Sequence, residues 1–107
     1  MNKYTELSDF EINKKVAEKL GIRFTPRNGV LILSATKLFN PCNNPSDAWQ
    51  LLLDAKLSIH PDFHNDCQSW VARNVHIPMV NETNLARAIS IAYLLFKDAD
   101  NENNNNS

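Results

Sequence analysis

The chain has 107 residues, enough for one domain with one modest hydrophobic core. Apolar residues make up 43% and charged residues 21%, an ordinary globular balance that excludes a disordered or collagen-like chain. A formal net charge of -1 excludes a global field that would draw the chain to nucleic acid or an anionic membrane. The sign is uneven along the sequence. Up to Asn40 the excess is basic, carried by Lys14, Lys15, Lys19, Arg23, Arg27 and Lys37; beyond it Asp47, Asp54, Asp62, Asp66, Glu82, Asp98, Asp100 and Glu102 make it acidic. The start lacks the apolar run of a signal peptide, and the apolar stretch near Ile89 to Phe96 is too short to span a bilayer. A cytoplasmic protein with Cys42 and Cys67 reduced, and no membrane partner, is expected.

Leu7-Ser8-Asp9-Phe10-Glu11-Ile12 is a helix start. Ser8 caps the free N–H groups, Glu11 reaches back in a capping box, and Leu7 with Ile12 forms the staple. Ile12, Val16 and Leu20 recur every four residues, and Gly21 supplies the left-handed stop, so the helix spans 9–20. Ile22 to Thr25 alternates like a strand, Pro26-Arg27-Asn28-Gly29 is turn chemistry, and Val30-Leu31-Ile32-Leu33 is a β-branched-rich run. A hairpin is predicted, followed by Leu38 and Phe39 docking on the core.

Phe39 to Trp49 is the most locally determined stretch. Asn44 suits an N-cap, Pro45 the first helical position, and Asp47 the positive end of the helix dipole. A helix over 45–55 with an apolar face of Ala48, Leu52 and Ala55, flanked by Trp49 and Leu53, follows. Lys56 to Ile59 then reads as a strand ended by His60-Pro61, 61–66 as a loop, Gln68 to Arg73 as a strand, and Asn74 to Val80 as an extended connection. Thr83 or Asn81 is expected to cap a last helix, in which Leu85, Ala88, Ile89, Ala92, Leu95 and Phe96 share a face broad enough for a central core helix or a partner contact. The acidic, asparagine-rich end is expected to be a disordered tail over 99–107. The expected architecture is a single α+β domain over 1–98, with three helices and a small antiparallel sheet of three or four strands.

Three blocks stand out together. They are Leu7 to Asn13, Asn40-Pro41-Cys42-Asn43-Asn44-Pro45-Ser46-Asp47-Ala48-Trp49, and Asn84-Leu85-Ala86-Arg87-Ala88-Ile89. In this order and spacing they resemble the phage NinX family of small phage and prophage proteins. The third block departs from the family's more usual Asn-Pro-Leu-Arg-Ala-Ala, and His60 to Cys67 is not carried over. The resemblance implies a phage or prophage origin and a bacterial host cytoplasm. It transfers no molecular activity.

No catalytic set, metal centre or cofactor is expected. His60, His64, Cys67 and Cys42 offer soft ligands, but without a paired Cys-x2-Cys knuckle. Cys42 precedes a helix start that can lower a thiol pKa, and His60, His64 or His76 could approach it in space, yet it lies before the cap, where the dipole's benefit depends on orientation. Asp47 and Asp54 share a helix face as a solvated acidic pair. The helix start at Asn44 to Ala48 lacks a glycine-rich loop to admit a phosphate. The leading expectation is therefore a non-enzymatic accessory protein that binds a host or phage protein. Its binding candidates are Asn40, Cys42, Asn43, Asn44, Trp49 and Trp70. The alternative is a small nucleic-acid-binding regulator using Lys14, Lys15, Lys19, Arg23 and Arg27, although no aromatic residues interleave with them.

Overall fold

The computed structural model describes residues 2–105. Helix α1 spans Asp9–Leu20, as its local signals dictate. Ser8 Oγ accepts from the Glu11 N–H at 3.1 Å, and Gly21 takes the left-handed cap at φ 71°. The reciprocal arm of the capping box is replaced: Ser8 Oγ also donates to Glu11 Oε1 at 3.3 Å. Ile12, Val16 and Ala17 are fully buried along one face of α1. Asn13 is buried on the same face, which gives that stripe one amide among its aliphatics.

Three short strands follow as an antiparallel meander: β1 (Thr25–Arg27), β2 (Val30–Ser34) and β3 (Lys37–Phe39). The hairpin is real but starts later than its alternation suggests. Asn28 at φ 52° and Gly29 at φ 80° form a two-residue turn, so Pro26 and Arg27 belong to β1 and pair with Leu31 and Val30. Two positive φ angles match the twist of the strands, and Asn-Gly adopts them readily. Pro26 is tolerated because β1 is an edge strand. Leu31 and Phe39 are cross-strand partners facing the core. Leu38 pairs with Ile32 on the opposite face and is 56% exposed, which corrects the expectation that it docks on the core.

Helix α2 spans Pro45–Ala55, again as its caps dictate. Asn44 Oδ1 accepts from the Ser46 N–H at 3.0 Å. The buried face is Ala48, Leu51 and Ala55, with Leu52 half-buried; Trp49 and Leu53 point outward, each more than half exposed.

The second sheet is built from β4 (Ser58–Pro61), β5 (Trp70–Arg73) and β6 (Val80–Glu82), all antiparallel in that spatial order. A single 3-10 turn, Phe63–Asn65, sits inside the expected loop and is capped by Asp62. His60 and Pro61 extend β4 rather than ending it, opposite Val71 and Trp70. Val80 to Glu82 is a strand and not part of the connection: it pairs with Trp70, Val71 and Ala72 of β5. The fold class is α+β, as expected; the described residues form three helices and six strands, the strands in two three-stranded sheets with α2 between them in the chain.

Helix α3 spans Leu85–Asn105 and packs against α1, α2, β5 and β6. Ala88 through Leu94 are all buried, so its broad apolar face is the centre of the core. Asn84 caps it, in place of Thr83 or Asn81: Asn84 Oδ1 accepts from the Arg87 N–H at 3.3 Å. The stretch read as a tail, 99–107, falls partly in α3; residues 106 and 107 lie outside the described residues. Tyr4 donates its hydroxyl to Asp98, and Lys3 and Lys19 approach the same carboxylate at 3.4 and 3.6 Å. No helix among the described residues is long and apolar enough to cross a membrane.

Candidate functional site: an amide–guanidinium knot and the groove beside it

The starts of all three helices meet at one place. The turn before α2 holds itself together first, with Asn40 O accepting from the N–H groups of Asn43 and Asn44 at 3.1 and 2.7 Å. Asp47 accepts from the Asn40 N–H at 2.9 Å, so its carboxylate fixes this turn. Asn13 of α1 then clamps the turn from below. Its Nδ2 donates to Asn40 Oδ1 at 2.8 Å, and its Oδ1 accepts from the Cys42 N–H at 3.0 Å. Asn84 clamps it from the α3 side, with Nδ2 donating to the Cys42 carbonyl at 2.9 Å and to Asn43 Oδ1 at 3.3 Å. Asn43 Nδ2 bridges to Asp9 Oδ2 at 3.1 Å and to Asn40 Oδ1 at 3.2 Å.

Arg87, one turn into α3, completes the knot. Its Nε donates to Glu82 at 2.8 Å, Nη1 to Asp9 at 2.6 Å, and Nη2 to the carbonyls of Thr5 and Leu7, both at 2.9 Å. The planar fork of arginine reaches these four acceptors at once; a lysine ammonium has no such geometry. Burial alone would lower the Arg87 pKa, but its bonds to Asp9 and Glu82 outweigh that and raise it. Among the described residues, no buried side-chain nitrogen or oxygen lacks a partner.

Cys42 lies sealed beneath this knot, fully buried. Burial and then the negative charge of Asp9 push its thiol up to about 12, against smaller opposing effects of Ser90 and Arg87. The helix start therefore does not make it a thiolate at neutral pH, and its surroundings do not favour nucleophilic chemistry. The other soft ligands lie elsewhere. His60 stacks on Phe63 at 5.6 Å, Cys67 is exposed, and no metal-holding cluster occurs among the described residues. Asp62 is held below the usual carboxylate range, chiefly by the Asn81 amide and then by the His64 N–H.

Beside the knot, between the first turns of α2 and α3, runs an apolar groove of about 260 Å³. Buried Ala48 and Ile89 underlie it, Trp49, Ile59 and Leu85 wall it, and the amides of Asn43 and Asn84 mark its polar edge. Trp49 is 54% exposed, so its ring is free to cover an occupant. The structure thus separates the sequence candidates. Asn40, Cys42 and Asn43 belong to the knot, Asn44 caps α2, and Trp49 stands at the groove. Trp70 sits half-buried in β5 opposite Glu82 and does not line it. Asp9, Asn13, Asn84 and Arg87 were missed. Asn13 carried a readable signal, as the one amide on the apolar face of α1.

These features define a small three-helix α+β domain whose helix starts are tied by amides and one guanidinium, with a tryptophan-walled groove alongside. Residues 3–97 match the family described as Bacteriophage P22, NinX, and the chain belongs to that family. No curated protein and no solved structure matches it. The three blocks that carry the resemblance are the three segments that converge in the knot.

Proposed function

We propose that the protein is a phage accessory factor that acts by binding a host or phage protein in the bacterial cytoplasm, and not by catalysis. The observation that carries this reading is Trp49: a large aromatic ring, more than half exposed, at the wall of an apolar groove with amides at its edge. Aromatic anchors beside pockets dominate binding energy in protein interfaces.

The test is affinity capture of a tagged chain from phage-infected bacteria, comparing wild type with Trp49→Ala and with Val75→Ala as an exposed control. A partner recovered by wild type and Val75→Ala but lost with Trp49→Ala is the expected result. Equal recovery by all three would sink the assignment of the groove. Asn43 and Asn44 are poor probes, because each also holds structure in place. Nucleic-acid binding is the second reading, favoured by the exposure of Lys14, Lys15, Lys19, Arg23 and Arg27. No binding of a DNA or RNA duplex at low salt, where counterion release is strongest, removes it.

A further inference from the structure

Among the described residues, no element covers the outer face of the β1-β2-β3 meander. Leu31 and Phe39 turn one face to the core, so the register puts Thr25, Ile32 and Leu38 in one row on the other face, with Arg27 and Val30 in the next. Leu38 and Val30 are 56% and 39% exposed. Arg23 lines the same shallow groove as Ile32. The sequence holds no aspartate or glutamate from Lys19 to Ser46, while Lys19, Arg23, Arg27 and Lys37 all fall in that stretch. Lys19 already faces Asp98 at 3.6 Å, so this is an aliphatic face whose positive border is carried by Arg23 and Arg27, neither of them in an ion pair among the described residues.

The same chain carries a complement. Along α2, Trp49 and Leu53 form an exposed apolar stripe four residues apart, and the half-exposed Asp54 follows Leu53; Asp47 is committed to the Asn40 N–H, and α2 contains no cation. From Asn40 to Asn84 there are five acids against Lys56 and Arg73. Lys97 approaches Asp54 at 3.5 Å, but that carboxylate keeps half its surface in water. The net charge of -1 leaves little repulsion between copies. A nucleic-acid backbone suits the meander face less well, because its centre is aliphatic and offers neither stacking rings nor amides.

We propose that the exposed meander face of one copy docks on the outer face of α2 of a second copy, Leu38 and Ile32 against Leu53 and Trp49, with Arg23 and Arg27 beside Asp54. Half of this contact is the α2 surface of the partner reading, and to that extent it rests on that reading. The two surfaces differ, so the contact is heterologous and extends head to tail rather than closing as a twofold dimer. Its charged border makes it weaken with added salt.

Sedimentation velocity of the full chain, from micromolar to near-millimolar and at low and high salt, tests this. The wild-type sedimentation coefficient is expected to rise with concentration, less so at high salt. Leu38→Glu and Leu53→Glu, both at exposed sites, are each expected to weaken association roughly tenfold or more, and the two altered faces carry like charges. An equimolar mixture of the two retains one good meander face and one good α2 face, so it is expected to give a heterodimer that grows no further. Circular dichroism and thermal unfolding establish that both variants fold. A wild type that stays monomeric throughout overturns the proposal, as does a mixture that fails to pair. A monomeric wild type that binds a short DNA duplex through Arg27 assigns the face to nucleic acid instead. Trp49-dependent capture by a monomeric protein leaves the partner reading standing while this one falls.

Discussion

The knot and the groove lie side by side and share Asn43 and Asn84, yet they spend their chemistry in opposite ways. In the knot nearly every polar atom is committed to another part of the same chain: Arg87 alone makes four hydrogen bonds, and Asn13 and Asn84 clamp the turn of Asn40 to Asn43 from two sides. In the groove the apolar surfaces are assembled but uncovered, and Trp49 has no role in the core. The most distinctive residues of the sequence thus serve as internal wiring, and the binding capacity sits on plainer residues next to them. A residue that looks too specific for packing is not thereby a contact to something else; its hydrogen bonds have to be counted first.

The sharpest way to break this contrast is at Arg87. Arg87→Met leaves Glu82, whose side chain is only 15% exposed, without its cation and strips Thr5 and Leu7 of their donor. We expect a loss of about 3 kcal/mol in denaturant unfolding, the usual cost of orphaning one partner of a buried pair. A loss below about 1 kcal/mol would mean that the knot is ornamental. Next comes Asn13→Ala, which removes the acceptor for the buried Cys42 N–H and the donor to Asn40. About 2 kcal/mol is expected, since an unsatisfied buried group costs more than a hydrogen bond earns; an unchanged midpoint would contradict the hydrogen-bond assignment.

A titration sharpens the same point. The folded chain holds the Cys42 proton up to about 12, against the ordinary 9.0, because the thiol is buried and then because Asp9 is near. Burial and Asp54 likewise raise Tyr93 from 10.0 to about 12. In both cases the folded state keeps a proton that the unfolded state gives up. The stabilisation is therefore complete below pH 9 and falls as pH rises from there towards 12. Unfolding free energies measured across that window should decline, and Cys42→Ala should flatten the decline that begins near 9. A thiol reagent should label exposed Cys67 at once and Cys42 only in denaturant. The smallest stability effect belongs to the groove: Trp49→Ala is expected to change unfolding by no more than about 0.5 kcal/mol, as exposed positions usually do. A large loss there would make Trp49 part of the fold and not a free surface.

What could be read in advance follows the range of the forces. The bounds of α1 and α2 were legible because Ser8, Gly21, Asn44 and Pro45 act within a turn of their own positions. The start of β1 was misplaced because the alternation of Ile22 to Thr25 looks like a strand, whereas the Asn28-Gly29 turn sets the register. β6 was missed because three residues between a proline-containing connection and a helix gain strand character only from β5 beside them. Leu51 rather than Leu52 took the buried position on α2, a difference of one residue that helical spacing alone does not resolve. The knot was hidden for a stronger reason. Its members come from 5–13, 40–47 and 82–87, and no local pattern tells which amide will find which carbonyl.

The guanidinium of Arg87 also has a kinetic consequence. Its bonds to Thr5, Leu7 and Asp9 join residues 78 to 82 positions apart, so they close only when the N-terminal segment meets a nearly complete α3. We expect contacts that close such long loops to form after the transition state, because the closure entropy precedes their reward. Arg87→Met should then leave the refolding rate almost unchanged and spend its effect on faster unfolding, visible as a shift of the unfolding limb alone in stopped-flow traces. In that sense the knot acts as a latch: it contributes little to reaching the native state and sets how long the protein remains there.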